Sequence, residues 1–257
     1  MLIAHISDMH VFADAPESAL VRLDAAQAAR KIVADVAAHE PAFDAVVLTG
    51  DLADGGSAAD YALIRDILAP LQMPVFAVPG NHDTRAGLRA AFAGTMPFGP
   101  GPTLDYEAQV GGMRLLALDT LVEGHVHGAL TPAQIDWLAG RLAVQVPTII
   151  AMHHPPFPSG VPTFDTMALV DGRAEMGRLV ADFHAPLVIL TGHIHRPFHA
   201  LWQGALCQVG GGPAFQQALD LRPDAPEPAR VDEPYAYFIV HQDPQTAMVI
   251  HKRYVAL

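Results

Sequence analysis

Five short stretches of this 257-residue chain each end an apolar run in polar side chains that can bind a metal or move a proton. They are Ser7-Asp8-Met9-His10, Thr49-Gly50-Asp51, Pro79-Gly80-Asn81-His82-Asp83, His153-His154-Pro155-Pro156 and Thr191-Gly192-His193-Ile194-His195. Carboxylate, amide and imidazole donors without a thiolate suit hard or borderline divalent ions such as Mn, Fe, Zn or Co rather than a structural zinc knot. Asp8, His10, Asp51, Asn81, His153, His193 and His195 make seven candidate ligands. That is too many for one catalytic zinc that keeps a position open. Two ions about 3.5–4 Å apart would use them all, with the Asp51 carboxylate as one bridge and water as the other. Metals lower the pKa of such a water strongly, so a bridging hydroxide becomes the expected nucleophile at neutral pH.

Charge points to the substrate. Two divalent ions against two carboxylates and a hydroxide leave about one net positive charge. A phosphodiester monoanion is therefore attracted even though the chain carries a formal charge of −12. His82 stands beside a ligand and is not needed as one, so it is the candidate to hydrogen-bond a phosphoryl oxygen or protonate the leaving alkoxide. Asp83 either orients His82 or holds the turn. The acidic balance argues against a nucleic-acid polymer and against an anionic membrane surface as partners. Cys207 is the sole cysteine, so no intrachain disulfide forms. The N-terminus shows no basic start followed by a long apolar segment, and no apolar run is long enough to span a bilayer. A soluble cytoplasmic protein is expected.

The elements that must position these residues follow from periodicity. Leu2 to Ile6, Ala45 to Leu48, Val75 to Val78, Thr148 to Met152 and Leu187 to Leu190 read as strands, each running into one of the five clusters. If all five belong to one sheet, the clusters line one edge, and the pairs Asp8/His10 and His193/His195, two apart in extended backbone, each point to one side. Helices are expected over Ala19 to Ala38, over Ser57 to Leu71 with Ser57 and Asp60 as a capping box, over Thr84 to Ala93, from the Thr131-Pro132-Ala133-Gln134 cap, and over Asp171 to Phe183. Leu104 to Val110 and Met113 to Leu118 flank Gly111-Gly112 as a hairpin. Further strands are expected around Leu206 to Val209, Tyr235 to Val240 and Ala247 to Tyr254, and Pro223 to Pro234 reads as a surface loop. Strand and helix alternate as in a parallel α/β sheet, here one two-layered domain over residues 1–257 joined by antiparallel strands in its second half. Residues 155–170 read as a loop overhanging the metals, with Phe157, Val161, Phe164 and Met167 either lining an apolar wall or packing. His125 and His127 have ligand-like spacing, but Gly128 and a helix cap follow them.

Asp8-Met9-His10, Gly50-Asp51, Gly80-Asn81-His82, His153 and Gly192-His193-Ile194-His195 together resemble, motif by motif and in order, the calcineurin-like metallophosphoesterases. The nearest likeness is to class III cyclic nucleotide phosphodiesterases and bacterial glycerophosphodiesterases. The resemblance implies an α/β fold in a four-layer αββα sandwich with mixed sheets in place of two layers. It implies that Asp8, His10, Asp51 and His195 hold one metal, while Asp51, Asn81, His153 and His193 hold the other. His153 rather than His154 is the ligand because the family pattern places it two residues before proline. It further implies hydrolysis of small phosphodiesters, with His82 and Asp51 in catalytic positions, and contact of the 155–170 region with further copies in a homodimer or higher oligomer. The alternatives are a catalytically dead scaffold of the same fold and a phosphomonoesterase. Leu52-Ala53-Asp54-Gly55-Gly56 lacks the arginine that follows Gly-Asp in phosphoprotein phosphatases.

Overall fold

A computed structural model describes residues 1–17, 19–222, 224, 229–243 and 248–257. Leu2–Ile6 (β1), Ala25–Ala37 (α1), Ala45–Leu48 (β2), Ala58–Leu68 (α2), Val75–Ala77 (β3) and Arg85–Ala91 (α3) alternate through the first third. Tyr106–Val110 (β4) and Met113–Ala117 (β5) form the expected hairpin, followed by Gly128–Ala129 (β6), Pro132–Leu142 (α4) and Thr148–Ala151 (β7). Next come Pro162–Asp165 (α5), Leu169–Asp171 (β8), Arg173–Ala181 (α6) and Leu187–Thr191 (β9). The remainder is Phe198–Trp202 (β10), Ala205–Val209 (β11), Gln216–Gln217 (β12), Arg230–Val231 (β13), Ala236–Gln242 (β14) and Met248–Tyr254 (β15).

The strands that carry the clusters lie in two sheets rather than one. One has the order β15-β14-β1-β2-β3 and the other β10-β11-β9-β7-β5-β4. β1, β2 and β3 are parallel, as are β5, β7 and β9, with antiparallel strands joining at the edges. Side-chain alternation explains the stacking. Ile3, Val47, Ile149 and Val188 face a core between the sheets. Their neighbours Ala4 and Val46 face α1, α2 and α3, while Ile150 and Ile189 face α4 and α6. The layers are therefore helix, sheet, sheet, helix, with mixed sheets, as the resemblance implied and in place of the two layers read from periodicity alone. An all-apolar run such as Ala45–Leu48 must be covered on both faces, but the run itself does not say whether a helix or a second sheet does the covering.

Local signals placed most helix starts. Ser57 accepts from the Asp60 amide and Thr131 from the Gln134 amide, each in a reciprocal capping box, and Thr84 caps α3. Such caps contribute about 1 kcal/mol each. The first helix begins at Ala25 rather than Ala19. Leu23 is 83% exposed, and the Arg22 amide donates to the Ala214 carbonyl, so residues 19–24 run across the surface as turns instead. Residues 155–170 are also more ordered than a loop. They hold α5 and the start of β8, which pairs with β6, and Phe157, Val161 and Phe164 pack into the core outside the second sheet. The expected 223–234 loop and the first residue of the Ala247 strand lie partly outside the described residues. Among the described residues no helix is long and apolar enough to cross a membrane.

Candidate metal centre

The C-terminal ends of β1, β2 and β3 meet those of β7 and β9, so the five clusters converge across the seam between two sheets. Backbone bonds set the approach: the Asp8 amide donates to Gly50 O at 3.1 Å, and the Gly192 amide to His153 O at 3.0 Å. Across the seam, the His193 amide donates to both Asp8 oxygens at 3.0 and 3.1 Å. Glycines permit this closeness. A Cβ on Gly50 would meet His153 Nδ1 at 2.5 Å, and one on Gly80 would overlap the Asp51 carboxylate and amide.

Five of the seven candidate ligands, both pairs included, are not in extended backbone, contrary to the alternation expected for the pairs. Asp8, His10, Asp51, His193 and His195 have φ of 55°, 44°, 49°, 73° and 51°, which makes five of the six described non-glycine residues with positive φ. This left-handed region costs about 1–3 kcal/mol per residue and collects at functional sites. The turn also divides the second pair. His195 joins Asp8, His10 and Asp51 in one group whose donor atoms lie within 4.8 Å of one another, while His193 lies with His153.

In the first group His10 Nε2 is 3.1 Å from His195 Nε2 and 3.4 Å from Asp51 Oδ2, and His195 Nε2 is 3.4 Å from Asp8 Oδ1. His10 Nδ1 donates to Asp54 Oδ1 at 2.9 Å, and His195 Nδ1 to the Phe215 carbonyl at 3.1 Å. Both rings thus carry their proton on Nδ1 and turn a bare Nε2 lone pair inward. The second group is built alike. His153 Nδ1 donates to the Thr49 carbonyl at 2.7 Å, and its Nε2 lies 3.1 Å from Asn81 Oδ1, 3.2 Å from His193 Nδ1 and 3.4 Å from Asp51 Oδ2. Asp51 Oδ2 is therefore equidistant from the inward nitrogens of His10 and His153. Acceptor atoms crowded together repel one another unless a cation or proton sits among them, and this donor set fits divalent ions.

Electrostatics agree. Asp8 and Asp51 are 0% and 2% exposed, and their ion pairs are all to histidines. Burial and the neighbouring Asp51 charge push the Asp8 carboxyl up to about 6. Burial opposes ionisation of Asp51 too, but His153 and His10 outweigh it and hold that carboxyl well below the usual carboxylate range. Burial likewise lowers His153, yet Asp51 beside it pushes the imidazole up to about 9, so that without an ion this ring takes up a proton among the crowded acceptors, a proton that a bound cation would displace. Burial, with His153 beside it, drives His193 down to about 3, which keeps that ring neutral and able to ligate. Buried carboxylates of this kind are matched by paired cations or metals.

The remaining residues have distinct surroundings. His82 donates its amide to Asp51 Oδ1 at 2.9 Å, and its Nδ1 donates to the Asp54 carbonyl at 2.8 Å. Its ring is 28% exposed and stands edge-on to His10 at 4.6 Å. Asp83 does not bond His82. It accepts from the amides of Leu52, Ala53 and Gly80 and from the Tyr61 hydroxyl, so it holds the turn. His154 is engaged at both nitrogens, by the Thr120 hydroxyl at 2.8 Å and the Val126 carbonyl at 3.1 Å, and offers no free lone pair. His125 is exposed at the rim of a cleft that also contains Asn81 and His82. His127 packs 5.0 Å from it. Two supporting residues went unread in the sequence. Asp54 fixes His10, and Phe215 stacks on His195 at 3.8 Å. Asp54 follows Asp51 by three residues and could have been suspected on proximity; nothing in the sequence marked Phe215.

With this geometry in view, the sequence matches the calcineurin-like phosphoesterase family over residues 1–197, and the chain belongs to that family. The family is hydrolytic, so the protein is an enzyme of phosphoric ester cleavage. A probable glycerophosphodiester phosphodiesterase GpdQ of Arcobacter nitrofigilis is 26% identical over 257 residues, covering 99% of this chain and 93% of that one. A cAMP/cGMP dual specificity phosphodiesterase of Mycobacterium tuberculosis is 39% identical over 185 residues, covering 68% of this chain but 56% of that protein. The 3',5'-cyclic adenosine monophosphate phosphodiesterase CpdA of Escherichia coli is 31% identical over 207 residues, covering 79% of this chain and 72% of that protein. The fold is shared with a dimetal phosphatase from Danio rerio, with a TM-score of 0.76, 18% identity, and 98% and 96% of the two chains covered.

Proposed function

We propose that the protein is a dinuclear metal-dependent phosphodiesterase that hydrolyses small phosphodiesters, either cyclic nucleotides or glycerophosphodiesters. The position of Asp51 Oδ2, 3.4 Å from both His10 Nε2 and His153 Nε2, carries this reading. One carboxylate oxygen facing two sets of inward nitrogens suits a bridge between two ions. Asp8, His10, Asp51 and His195 would hold one ion, and Asp51, Asn81, His153 and His193 the other. When bound, the pair supplies Lewis acidity and a hydroxide nucleophile at neutral pH. The chain's own residues do the rest. Asp54 and the Thr49 and Phe215 carbonyls fix three imidazole tautomers. His82, anchored through Nδ1, has Nε2 for the phosphoryl oxygen or the leaving alkoxide. The relatives' names, glycerophosphodiester and cyclic nucleotide phosphodiesterases, support diesters as the substrate class.

The test is a turnover panel with metal-reconstituted protein: an aryl phosphodiester, an aryl phosphomonoester, 3′,5′- and 2′,3′-cyclic nucleotides, and glycerophosphocholine. Diesters are expected to outpace the monoester, and a monoester preference overturns the assignment. Asn81→Ala should weaken one ion and slow turnover, and unchanged occupancy and rate would remove Asn81 from the site. Contact between copies through residues 155–170 belongs to the same proposal; a monomer in sedimentation at working concentration removes it.

A further inference from the structure

The cleft beside His82 has a second wall that the metal groups do not use. Its volume is about 490 Å³, with Asn81 and His82 on one side and Leu121, Glu123, His125 and Val126 on the other. The volume falls within the range of small-molecule sites. In the proposed function His82 Nε2 serves the phosphoryl oxygen or the leaving alkoxide, and in the second role the departing alcohol faces the cleft that His82 lines.

The outer wall turns on itself where the His125 amide donates to the Val122 carbonyl, Arg85 also lies 3.6 Å from the Glu123 carboxylate, and the wall is held from both ends. At one end Arg85 places Nε 2.6 Å and one terminal nitrogen 3.0 Å from the two Asp119 oxygens, and the same nitrogen donates to the Leu121 carbonyl. Asp119 is 1% exposed, and its oxygens also accept from the Leu104 and Leu121 amides. A planar guanidinium fork can make these bonds together, and an ammonium cannot. At the other end His154 donates from Nε2 to the Val126 carbonyl, and Gly128 lies flat against the His154 ring where a Cβ would overlap it. Between the two anchors Glu123, Gly124 and His125 are exposed. Arg85 starts α3 and comes three residues after His82, so one turn of chain places the proton donor and braces the wall opposite it.

We propose that Arg85 is a positioning residue that holds the 119–128 segment as the wall of a leaving-group subsite, and that His125 on this wall contacts the departing alcohol. The inference rests on the phosphodiesterase reading. It assigns selectivity to a surface beside the metals rather than to the metals themselves.

Two diesters separate the effects: glycerophosphocholine, whose glycerol or choline departs as a free alcohol that can meet the outer wall, and ethylene phosphate, whose leaving oxygen stays tethered to phosphorus by a two-carbon arm and carries nothing further into the cleft. Arg85→Lys keeps the charge opposite Asp119 and guards against misfolding, and His125→Ala alters only an exposed side chain. Each is expected to raise KM for glycerophosphocholine about fivefold more than for ethylene phosphate, the factor given by one lost hydrogen bond. Metal content should stay at the wild-type value. Hydrogen exchange of residues 119–128 should quicken in Arg85→Lys and not in His125→Ala. Equal KM changes on both substrates, loss of metal, or unaltered exchange in Arg85→Lys overturns the proposal. Failure of the wild-type, metal-loaded protein to cleave either diester overturns instead the function on which it rests.

Discussion

Removing the Asp54 carboxylate should loosen one ion and spare the other. Asp54 is 0% exposed and its Oδ1 accepts from His10 Nδ1 at 2.9 Å, while His10 is 1% exposed. Burial raises the Asp54 carboxyl, but the His10 hydrogen bond outweighs that, and the group stays ionised below its ordinary value. In Asp54→Ala the His10 N–H is left buried without this acceptor, a cost of about 2 kcal/mol. At 1.4 kcal/mol per tenfold, affinity at the Asp8/His10/Asp51/His195 group should fall about thirtyfold, within the ten- to hundredfold usual for partners behind a metal ligand. Asp54→Asn keeps an oxygen for His10 and should lose less than about tenfold on the same reasoning. The assay is competition with a chromophoric chelator, resolving the two affinities, with circular dichroism to confirm the fold. Unchanged affinities in Asp54→Ala, or equal losses at both groups, would refute the claim that Asp54 acts through His10.

Three further outcomes follow from particular contacts. Gly80→Ala should abolish metal loading, because its Cβ overlaps the Asp51 carboxylate and amide, and full metal content in the purified variant contradicts this. Asp83→Ala removes the acceptor of three buried amides and the Tyr61 hydroxyl, so urea unfolding should show a loss of about 3 kcal/mol; a loss under about 1 would mean the turn holds itself. Asp35, whose carboxyl is lowered from 3.8 first by its Arg253 hydrogen bond, ties α1 to β15. A depressed carboxyl contributes stability above its unfolded value that is lost as pH falls below it. Asp35→Asn should therefore cost about 0.5–1 kcal/mol at pH 7, solvent screening limiting it, and progressively less as pH falls below the ordinary carboxylate value; a difference that stays constant into acid denies the ion pair this role.

The chemistry was more legible than the architecture. Each apolar run ends in a polar cluster, and a cluster such as Gly50-Asp51 needs only its strand to reach the edge of a sheet. What the runs could not declare was their partner. Val47 and Ile149 meet in one core although about a hundred residues separate them, and Ala45–Leu48 is apolar on both faces whichever layer covers it. The left-handed φ of Asp8, His10 and His195 was equally hidden, because non-glycine residues adopt it only when surrounding contacts impose it. Asp54 and Phe215 act on His10 and His195 through the folded geometry alone. The Ala19 start of α1 misled because helical spacing continues through Leu20 and Leu23, whose side chains the fold leaves exposed.

The seam between the sheets gives the metal groups their dependence on the whole fold. Asp8, His10, Asp51 and Asn81 follow strands of the first sheet, while His153, His193 and His195 follow strands of the second. Each proposed four-ligand set draws on both, so neither sheet can complete a site alone. The inter-sheet core of Ile3, Val47, Ile149 and Val188 therefore sets the spacing between ligands as well as stabilising the layers. A cavity opened there, as by Ile149→Ala, costs about 2–5 kcal/mol and lets the sheets shift. Ions that bind only the docked arrangement stabilise it in proportion to the logarithm of their concentration over Kd. Added Mn or Zn should then recover less thermal stability in Ile149→Ala than in an equally destabilising variant of the outer helical layer, such as Ile64→Ala, because a docked arrangement that is only partly populated weakens the apparent affinity for the ions. Equal recovery in the two variants would mean that the sheets dock rigidly whether or not the core between them is intact.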